Sequence, residues 1–270
     1  AAGMGTRMNS ELPKVLHQVA SAPLLHHALT TGRALGPSRV VVVAGHGVEA
    51  VKTSALAFDE AVEVVVQEPQ LGTAHAVGCA APLLADATGD AIVLYGDTPF
   101  IRPETLEAMV EARKSNAVVI LGFEARDPGR YGRLIVQGET LEKIVEYKDA
   151  TEAERAVTLC NSGVVCADVK TLFDLVAQVG NDNAAGEYYL TDIVALAPAA
   201  GLSAGVVICD EAETLGVNTR EQLAQAEATF QTRARRDALE NGVTLTAPET
   251  VFFGLDTYID RKSTRLNSSH

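Results

Sequence analysis

The first residues that could do chemistry lie in the opening segment AAGMGTRMNSELPKVLH, where Arg7 and Lys14 follow two glycines separated by one residue. Small residues let backbone N–H groups approach an anion closely, and the two cations can neutralise phosphate oxygens. The segment has neither the Gly-Lys-Ser/Thr ending of a Walker A loop nor the third glycine of the dinucleotide fingerprint. The glycines alone would favour a plain turn, but the two cations behind them favour a phosphate-binding loop.

Two further segments place polar groups beside predicted elements. Asp97 follows the apolar run AIVLY, so it lies where α/β folds bind ligands and could hold a divalent metal, or it is a simple turn or capping residue. The run QEPQLGTAH begins with Gln67, whose amide can pair with a base edge. Gly72 and Thr73 of this run can bring backbone against a base, or Thr73 can cap the next helix.

Other polar residues at predicted strand ends suit a sugar. Gly132, Glu146 and Asn161 could contact sugar hydroxyls, although each alone is ordinary surface chemistry. Asn218 precedes a long predicted helix, so it is either the N-cap or a neutral oxygen ligand of a metal. The four cysteines and six histidines show no metal-ligand spacing. We therefore expect no zinc site, and free thiols in a reducing cytoplasm.

An alternation of β-branched runs and helical patterns must position these residues. Strands are predicted at residues 40–43, 62–66, 91–95 and 117–123, and helices at 22–35, 47–56, 73–84 and 103–116. This alternation predicts a parallel sheet with helices on both faces. Shorter strands at 133–136, 141–145 and 163–166 predict an antiparallel insertion on the same sheet. Helices at 170–177 and 191–197 and a strand at 204–209 complete the domain.

The pattern also divides the chain. Residues 1–218 are predicted to form the main domain, 219–242 a helix with a narrow apolar stripe, and 243–259 the start of a second, β-type domain. The string DRKSTRLNSSH at 260–270 resembles translated sequencing adapter. The chain opens without Met, so we expect an upstream piece, including most of a first strand, to be missing. An empty strand position would expose two strand edges, so we predict that residues 1–270 fold poorly.

The composition excludes several classes of protein. The 270 residues carry 35 Asp and Glu against 22 Lys and Arg, a formal net charge of −13, which is the opposite of a nucleic-acid-binding surface. A hydrophobic fraction of 47% supports a sizeable core and excludes disorder. The longest apolar runs fall far short of the roughly 20 residues of a membrane-spanning helix. We expect neither nucleic acid nor membrane as a partner.

Seven segments occur in the order of one enzyme family: AAGMGTRMNSELPKVLH, QEPQLGTAHA, LYGDTP, GRYGRL, IVEYKDA, GEYYLTDI and GVNTREQL. Over residues 1–259 the chain resembles the uridylyltransferase domain of bacterial bifunctional N-acetylglucosamine-1-phosphate uridylyltransferase and glucosamine-1-phosphate acetyltransferase. The resemblance implies a Rossmann-like α/β nucleotidyltransferase domain with a mixed, mostly parallel sheet. A long helix and the start of a left-handed β-helix follow. In the family that β-helix forms homotrimers and transfers acetyl groups from acetyl-CoA, and its acetyltransferase residues are not assignable here.

The resemblance also implies roles for individual residues. It implies that the backbone of Ala1, Ala2 and Gly3 contacts the nucleotide, that Arg7 and Lys14 clamp phosphates, and that Gln67, Gly72 and Thr73 read the uracil. The implied sugar contacts are Tyr95, Gly96, Gly132, Glu146 and Asn161. The implied Mg²⁺ ligands are Asp97 and Asn218. Two departures are the absence of the leucine that normally precedes Ala1 and the sequence CNSG where Asn-Thr-Gly is more common.

The implied reaction joins UTP and N-acetylglucosamine 1-phosphate into UDP-N-acetylglucosamine and pyrophosphate, for peptidoglycan and lipopolysaccharide precursors. Two alternatives stay open. Another sugar-1-phosphate nucleotidyltransferase would share the glycine loop and Asp97. A non-catalytic module that binds nucleotide sugars would be expected to have lost Lys14 or Asp97, and both residues are present.

Overall fold

A computed structural model of the protein describes residues 6–138 and 140–259, so the predicted adapter string lies outside the described residues. Its strands are β1 (Gln18–Val19), β2 (Ala22–Pro23), β3 (Val41–Ala44), β4 (Glu63–Val66), β5 (Asp90–Val93), β6 (Val118–Glu124), β7 (Arg133–Gln137), β8 (Thr140–Val145), β9 (Leu159–Asp168) and β10 (Ala204–Cys209). Its helices are α1 (Leu24–Ala34), α2 (Val48–Phe58), α3 (Thr73–Gly78), α4 (Pro103–Arg113), α5 (Glu152–Arg155), α6 (Val169–Val176), α7 (Asp192–Leu196) and α8 (Arg220–Glu240).

The main sheet is mixed and has six strands. Its order is β10-β6-β9-β7-β8, and β5 pairs with β9 beside this path. Strands β5 and β6 both lie antiparallel to β9, and β10 lies parallel to β6, so β5, β6 and β10 run in one direction. Strands β7 and β8 form the predicted antiparallel insertion, which joins the sheet where Arg133 pairs with Cys160 of β9.

The mixed sheet agrees with the prediction, but parallel neighbours are the minority in the described part of the chain. Only the pairs β6 with β10 and β3 with β4 are parallel there. The reason is β9, which was predicted as four residues and is ten residues long. Strand β9 follows the insertion in the chain and lies between β5 and β6, which both run in the opposite direction. The sheet therefore has two antiparallel pairs where β5 and β6 would otherwise have been parallel neighbours.

Helices cover both faces of this sheet, as predicted. Strand β6 is buried at each position except its last residue, which is the pattern of a strand covered on both sides. Val118 and Ile120 pack in a cluster with residues of α6 and α7, whereas Val119 and Leu121 pack with residues of α4. Side chains alternate across a strand, so one apolar run supplies both layers of the core.

Strands β3 and β4 form a separate parallel pair that has its own core with α1 and α2. Within the described residues, this pair shares no ladder with the six-stranded sheet. Helix α1 connects the two parts, because the Thr31 hydroxyl donates to the Ile101 carbonyl at 3.0 Å. The edges of β3 and β5 that face away from their partners therefore lack a strand in this part of the chain.

Two local predictions need correction. The helix predicted at 73–84 ends at Gly78 and resumes as a 3-10 turn, Ala81–Leu84, because Pro82 has no N–H to donate to the preceding turn. The polar stretch TEAER, for which no element was predicted, contains the short helix α5. Thr151 and Glu154 form a capping box there, with the Thr151 side chain accepting from Glu154 N and the Glu154 side chain accepting from Thr151 N.

Beyond α8 the chain folds back onto this helix. The Gln231 side chain donates to Phe253 O and accepts from Phe253 N, both at 2.8 Å. Residues 243–259 contain the 3-10 turn Pro248–Thr250 but no strand. The start of a β-helix predicted at 243–259 stays a prediction, because the strands of a solenoid form by pairing with strands of the neighbouring repeats. No helix among the described residues is long and apolar enough to span a membrane.

Candidate active site

Four predicted phosphate and metal residues meet just beyond the carboxyl end of β5. Lys14 forms an ion pair with Asp97, and its Nζ donates to Asn218 Oδ1 at 3.0 Å. The Arg7 guanidinium donates to the same Asn218 oxygen at 3.1 Å. The side chains of Lys14 and Asp97 are 13% and 21% exposed, so the ion pair is partly shielded from water. Two predicted phosphate-binding cations and two predicted metal ligands thus form one charged cluster.

Three separate segments build this charged cluster. A 3-10 turn at Lys14–Leu16 brings in Lys14, and the preceding Pro13 packs against Gly47 between β3 and α2. Val217 N donates to Asp97 O at 2.9 Å, which holds the segment before α8 beside the end of β5. The cluster therefore lies at the carboxyl ends of the strands, where α/β folds bind ligands.

The structure rules out the N-cap interpretation of Asn218, and its role as a metal ligand stays a prediction. The N-cap of α8 is Thr219, whose hydroxyl accepts from Gln222 N at 3.1 Å. Asn218 uses its backbone N–H to donate to Gln222 Oε1 at 2.8 Å. Its side chain consequently faces Lys14 and Arg7 and not the helix terminus.

The predicted base-reading segment forms a tight loop between β4 and α3. Gln67 is buried, and its Nε2 donates to Gly72 O at 2.9 Å. Gly72 has φ of 122°, and a Cβ at this position would lie 2.5 Å from Tyr188 O, so only glycine fits. The Thr73 hydroxyl accepts from Leu190 N at 2.9 Å and does not cap α3. Thr73 therefore connects two loops, a role that neither sequence interpretation included.

Three of the predicted sugar contacts, Gly132, Glu146 and Asn161, lie in or beside the insertion. Asn161 N donates to Gly132 O at 2.9 Å, and Asn161 Oδ1 accepts from Gly163 N at 2.9 Å. A Cβ on Gly132 would lie 3.4 Å from Glu146 Oε1, so this loop passes close to the carboxylate. The Thr191 hydroxyl donates to Glu146 Oε1 at 3.3 Å. The strand ends of the insertion thus gather one carboxylate and one amide.

Tyr95 and Gly96 follow β5, and the Tyr95 side chain lies beside Glu146, Asp97 and Thr73. Gly163 has φ of 91°, and a Cβ there would overlap the Tyr95 ring, so β9 passes directly against this ring. Burial raises the pKa of Tyr95 well above its usual value, and the negative charges of Glu146 and Asp97 raise it further, against a hydrogen bond with Thr73. Tyr95 therefore stays a neutral phenol, in reach of both the base-side and the sugar-side residues.

Glu146 has an unusual electrostatic setting. Burial raises the pKa of its carboxyl above the ordinary value, the hydrogen bond from Thr191 lowers it, and Asp149 and Asp192 raise it. An acidic group whose pKa is shifted by burial and like charge is typical of functional sites. Thr191 and Tyr188 were missed in the sequence because each contacts a residue more than 40 positions away.

Other features of the molecule lie away from this site. Ala1, Ala2 and Gly3 fall outside the described residues, so their predicted nucleotide contacts stay predictions. Cavities of about 550 and 590 Å³ lie beside α8 and contain none of the predicted site residues. Within residues 6–138 and 140–259, no group of three or more His, Cys, Asp or Glu side chains could hold a metal ion.

Comparison with solved structures supports the fold. The apo form of a UDP-glucose pyrophosphorylase matches with a TM-score of 0.70 and 16% identity, covering 87% of this chain and 97% of that one. A nucleoside-diphosphate-sugar pyrophosphorylase from Vibrio cholerae matches with a TM-score of 0.68 and 13% identity, covering 84% and 97%. At these identities the likeness shows a shared nucleotide-sugar pyrophosphorylase fold.

Sequence comparison gives closer relatives. The chain is 73% identical over 261 residues to the bifunctional protein GlmU of Cereibacter sphaeroides, and 60% identical over 261 residues to that of Ruegeria pomeroyi. Both alignments cover 97% of this chain and 58% of the relative, so the chain spans a little over half the length of these relatives. They confirm the resemblance drawn from the seven segments. Residues 1–163 match the MobA-like NTP transferase domain, and since this is more than half of the chain, the protein belongs to that family.

Proposed function

We propose that this chain transfers UMP from UTP to N-acetyl-α-D-glucosamine 1-phosphate, giving UDP-N-acetylglucosamine and pyrophosphate. The observation that carries the proposal is the charged cluster of Arg7, Lys14, Asp97 and Asn218. Tyr95 lies beside Asp97 of this cluster, beside Thr73 of the loop suited to a base, and beside Glu146, which is suited to sugar hydroxyls. Relatives named bifunctional protein GlmU and neighbours named pyrophosphorylases support the same chemistry.

The proposed reaction is a displacement at phosphorus. A phosphate oxygen of the sugar phosphate attacks the α-phosphorus of UTP in line, and the bond to the pyrophosphate oxygen breaks. Because the nucleophile is already an anion, no general base is needed. The obstacle is repulsion between two charged phosphates, and Lys14 and Arg7 neutralise it by taking up phosphate oxygens in place of Asp97 and Asn218. This explains how a chain with a net charge of −13 handles two anions.

The donor set of the charged cluster fits Mg²⁺. The Asp97 carboxylate and the Asn218 amide oxygen both contact Lys14 Nζ, so two hard oxygen ligands already face one positive charge. One or two protein oxygens suffice, because Mg²⁺ in phosphate sites keeps several waters and binds substrate phosphates. In this proposal Asp97 and Asn218 hold the ion, which supplies positive charge to the reacting phosphates when bound.

The residues proposed to contact the sugar and the base orient the two substrates. Glu146 accepts from sugar hydroxyls, and Asn161 donates from Nδ2 because its Oδ1 is engaged by Gly163 N. Gln67 and the backbone at Gly72 and Thr73 receive the base. With the sugar and the base held in this way, the reacting phosphates of both substrates are proposed to lie at the charged cluster.

Pyrophosphate release tests the proposal directly. The protein is incubated with Mg²⁺, UTP and N-acetylglucosamine 1-phosphate, and each component is omitted in turn. We expect release that needs all three and that collapses in Asp97→Asn. Release with glucose 1-phosphate or dTTP in preference would favour another sugar-1-phosphate nucleotidyltransferase. A folded sample that binds UDP-N-acetylglucosamine and releases nothing would make the chain a binding module.

The longer protein is part of the proposal as well. By analogy with relatives called bifunctional, we propose that the whole protein also acetylates glucosamine 1-phosphate and forms a homotrimer through a β-helix. All four cysteines are free thiols, which suits a reducing compartment, and we place the enzyme in the cytoplasm.

A further inference from the structure

The side-chain amide of Gln67 has a defined orientation. Its Nε2 lies 2.9 Å from Gly72 O and 3.0 Å from His75 Nδ1, and the residue is 4% exposed. A carbonyl oxygen can only accept a hydrogen bond, so the amide nitrogen must face Gly72. The same nitrogen then donates its second proton to His75 Nδ1, which is therefore the unprotonated nitrogen of the ring.

This pairing leaves one polar atom of Gln67 for a ligand. Both N–H protons are engaged, and Oε1 has no hydrogen-bond partner within the described residues. The backbone is fixed at both ends of the loop, because Gln67 N donates to Ala44 O at 2.8 Å and Ala74 N donates to Tyr188 O at 2.9 Å. Gln67 thus offers an acceptor, and no donor, to a molecule beside it.

An acceptor at this position distinguishes two pyrimidines. Uracil carries a proton on N3 and can donate it to Oε1, whereas cytosine has a lone pair on N3 that would face the Gln67 oxygen. A site that leaves a polar group unpaired rejects a substrate far more strongly than a small change of apolar shape does. The orientation of one buried amide therefore decides which base is accepted.

We propose that His75 is a positioning residue for base selection, which accepts from Gln67 Nε2 and so holds Oε1 toward the nucleotide. The inference rests on the proposed function, since it requires the base of the nucleotide substrate to lie against Gln67. His75 belongs to α3, which begins at Thr73. The backbone N–H of Ala74 in this helix donates to Tyr188 O, so the helix holds the His75 ring in place. Without the ring nitrogen, only the Gly72 carbonyl holds the amide, so the amide can turn away from Gly72 and present an N–H to cytosine N3.

Two variants separate this role from a structural one. His75→Phe keeps a planar ring but has carbon in place of Nδ1, and His75→Asn can return an acceptor oxygen to the same position. The measured quantity is the ratio of kcat/KM for UTP to that for CTP, in pyrophosphate release with Mg²⁺ and N-acetylglucosamine 1-phosphate. We expect the ratio to fall about tenfold or more in His75→Phe, the effect of losing one hydrogen bond, and to recover in His75→Asn.

Calorimetric binding of UTP and CTP to the same proteins separates this inference from the proposed function. If no sugar phosphate supports turnover, but the preference for UTP in binding is lost in His75→Phe and restored in His75→Asn, the proposed function fails and the role of His75 stands. An equal preference in the wild type and His75→Phe, no recovery in His75→Asn, or no preference in the wild type overturns the role. If circular dichroism shows that the His75→Phe protein is unfolded, His75→Ala is used in its place.

Discussion

The ion pair between Lys14 and Asp97 concentrates opposite charges where the two substrate phosphates are proposed to meet. We expect Lys14→Ala to lower kcat by on the order of 10²–10³, the usual effect of losing a preorganised charge stabiliser. Initial rates of pyrophosphate release measure the change. Lys52→Ala, which removes an exposed lysine of α2, is the matched control and should leave kcat unchanged. A near-normal kcat in Lys14→Ala would remove this residue from the proposed role.

The raised pKa of Glu146 should make the proposed sugar binding depend on pH. As the pH falls through this pKa, the carboxylate that accepts from sugar hydroxyls is lost, so KM for the sugar phosphate should rise. Glu146→Gln should show a high KM that does not change over the same range. Steady-state kinetics at several pH values test this, with Glu142→Gln on the exposed side of β8 as the control. A wild-type KM that stays constant in this range would contradict the role of Glu146.

The same shift has a consequence for stability with the opposite pH dependence. The folded pKa of Glu146 lies above the unfolded value, so the folded state binds the proton more tightly. Its contribution to stability is fully present below the unfolded pKa and is lost as pH rises through the folded pKa. Glu146→Gln should therefore be at least as stable as the wild type at neutral pH.

The sequence motifs indicated most of the candidate residues, but they did not indicate which of these residues contact one another. Lys14, Asp97 and Asn218 each carry a suitable group, and their meeting depends on segments more than 80 positions apart. Thr191 donates to Glu146, yet nothing about a threonine in the run LTDI indicates this contact. Side-chain pairing of this kind is set by the tertiary fold, so the local sequence does not reveal it.

Among the elements, the passage of β9 against the Tyr95 ring is the contact most sensitive to a single methyl group. Gly163→Ala should destabilise the fold by about 2–5 kcal/mol, because a positive φ costs about 1–2 kcal/mol and overpacking about 1–3. Gly89→Ala is a matched control with φ of 93° and nothing within 4 Å of the added Cβ, so it carries the backbone cost alone. Denaturant unfolding measures both. Equal losses of unfolding free energy in the two variants would show that the Tyr95 ring moves aside to make room for the methyl group.

Elements with a strong apolar pattern were predicted well, and those held by polar contacts were not. Strand β10 was predicted with the observed bounds because its run of small and β-branched residues ends at a turn. Helix α5 was missed because its stability comes from a capping box and not from an apolar face. Strand β9 exceeded its prediction because Asn161 and Ser162 lie inside a buried strand, where the sheet supplies their hydrogen bonds.

For the whole molecule, the separation of the β3–β4 pair from the six-stranded sheet predicts two levels of stability. The pair β3–β4 has a smaller core of its own, so its amides should exchange through an opening of lower free energy than those of β6 and β9. Native-state hydrogen exchange across a denaturant series measures this. One common opening free energy for all four strands would contradict it. The prediction that the chain folds poorly also stays open, and a single cooperative melt would count against it.

The general architecture followed from alternation of strands and helices, whereas the strand order did not. The run at 159–168 has the apolar composition of any buried strand, and nothing local fixes its direction or its neighbours. Its antiparallel place between β5 and β6 depends on where the insertion leaves and re-enters the sheet. Direction is a property of the chain path, so composition alone left it undetermined.

The base-side loop and the loop before α7 are joined through main-chain atoms, since Tyr188 N donates to Leu71 O and Ala74 N donates to Tyr188 O. The bonds of this junction use only the main chain of Tyr188, whose side chain packs against the cluster of Val118 and Ile120, whereas at 72 a Cβ would collide with the backbone. Divergence in this region should therefore be unequal. Position 188 should accept other large apolar residues while glycine at 72 should be retained, and the two loops share a spacing that neither can change alone.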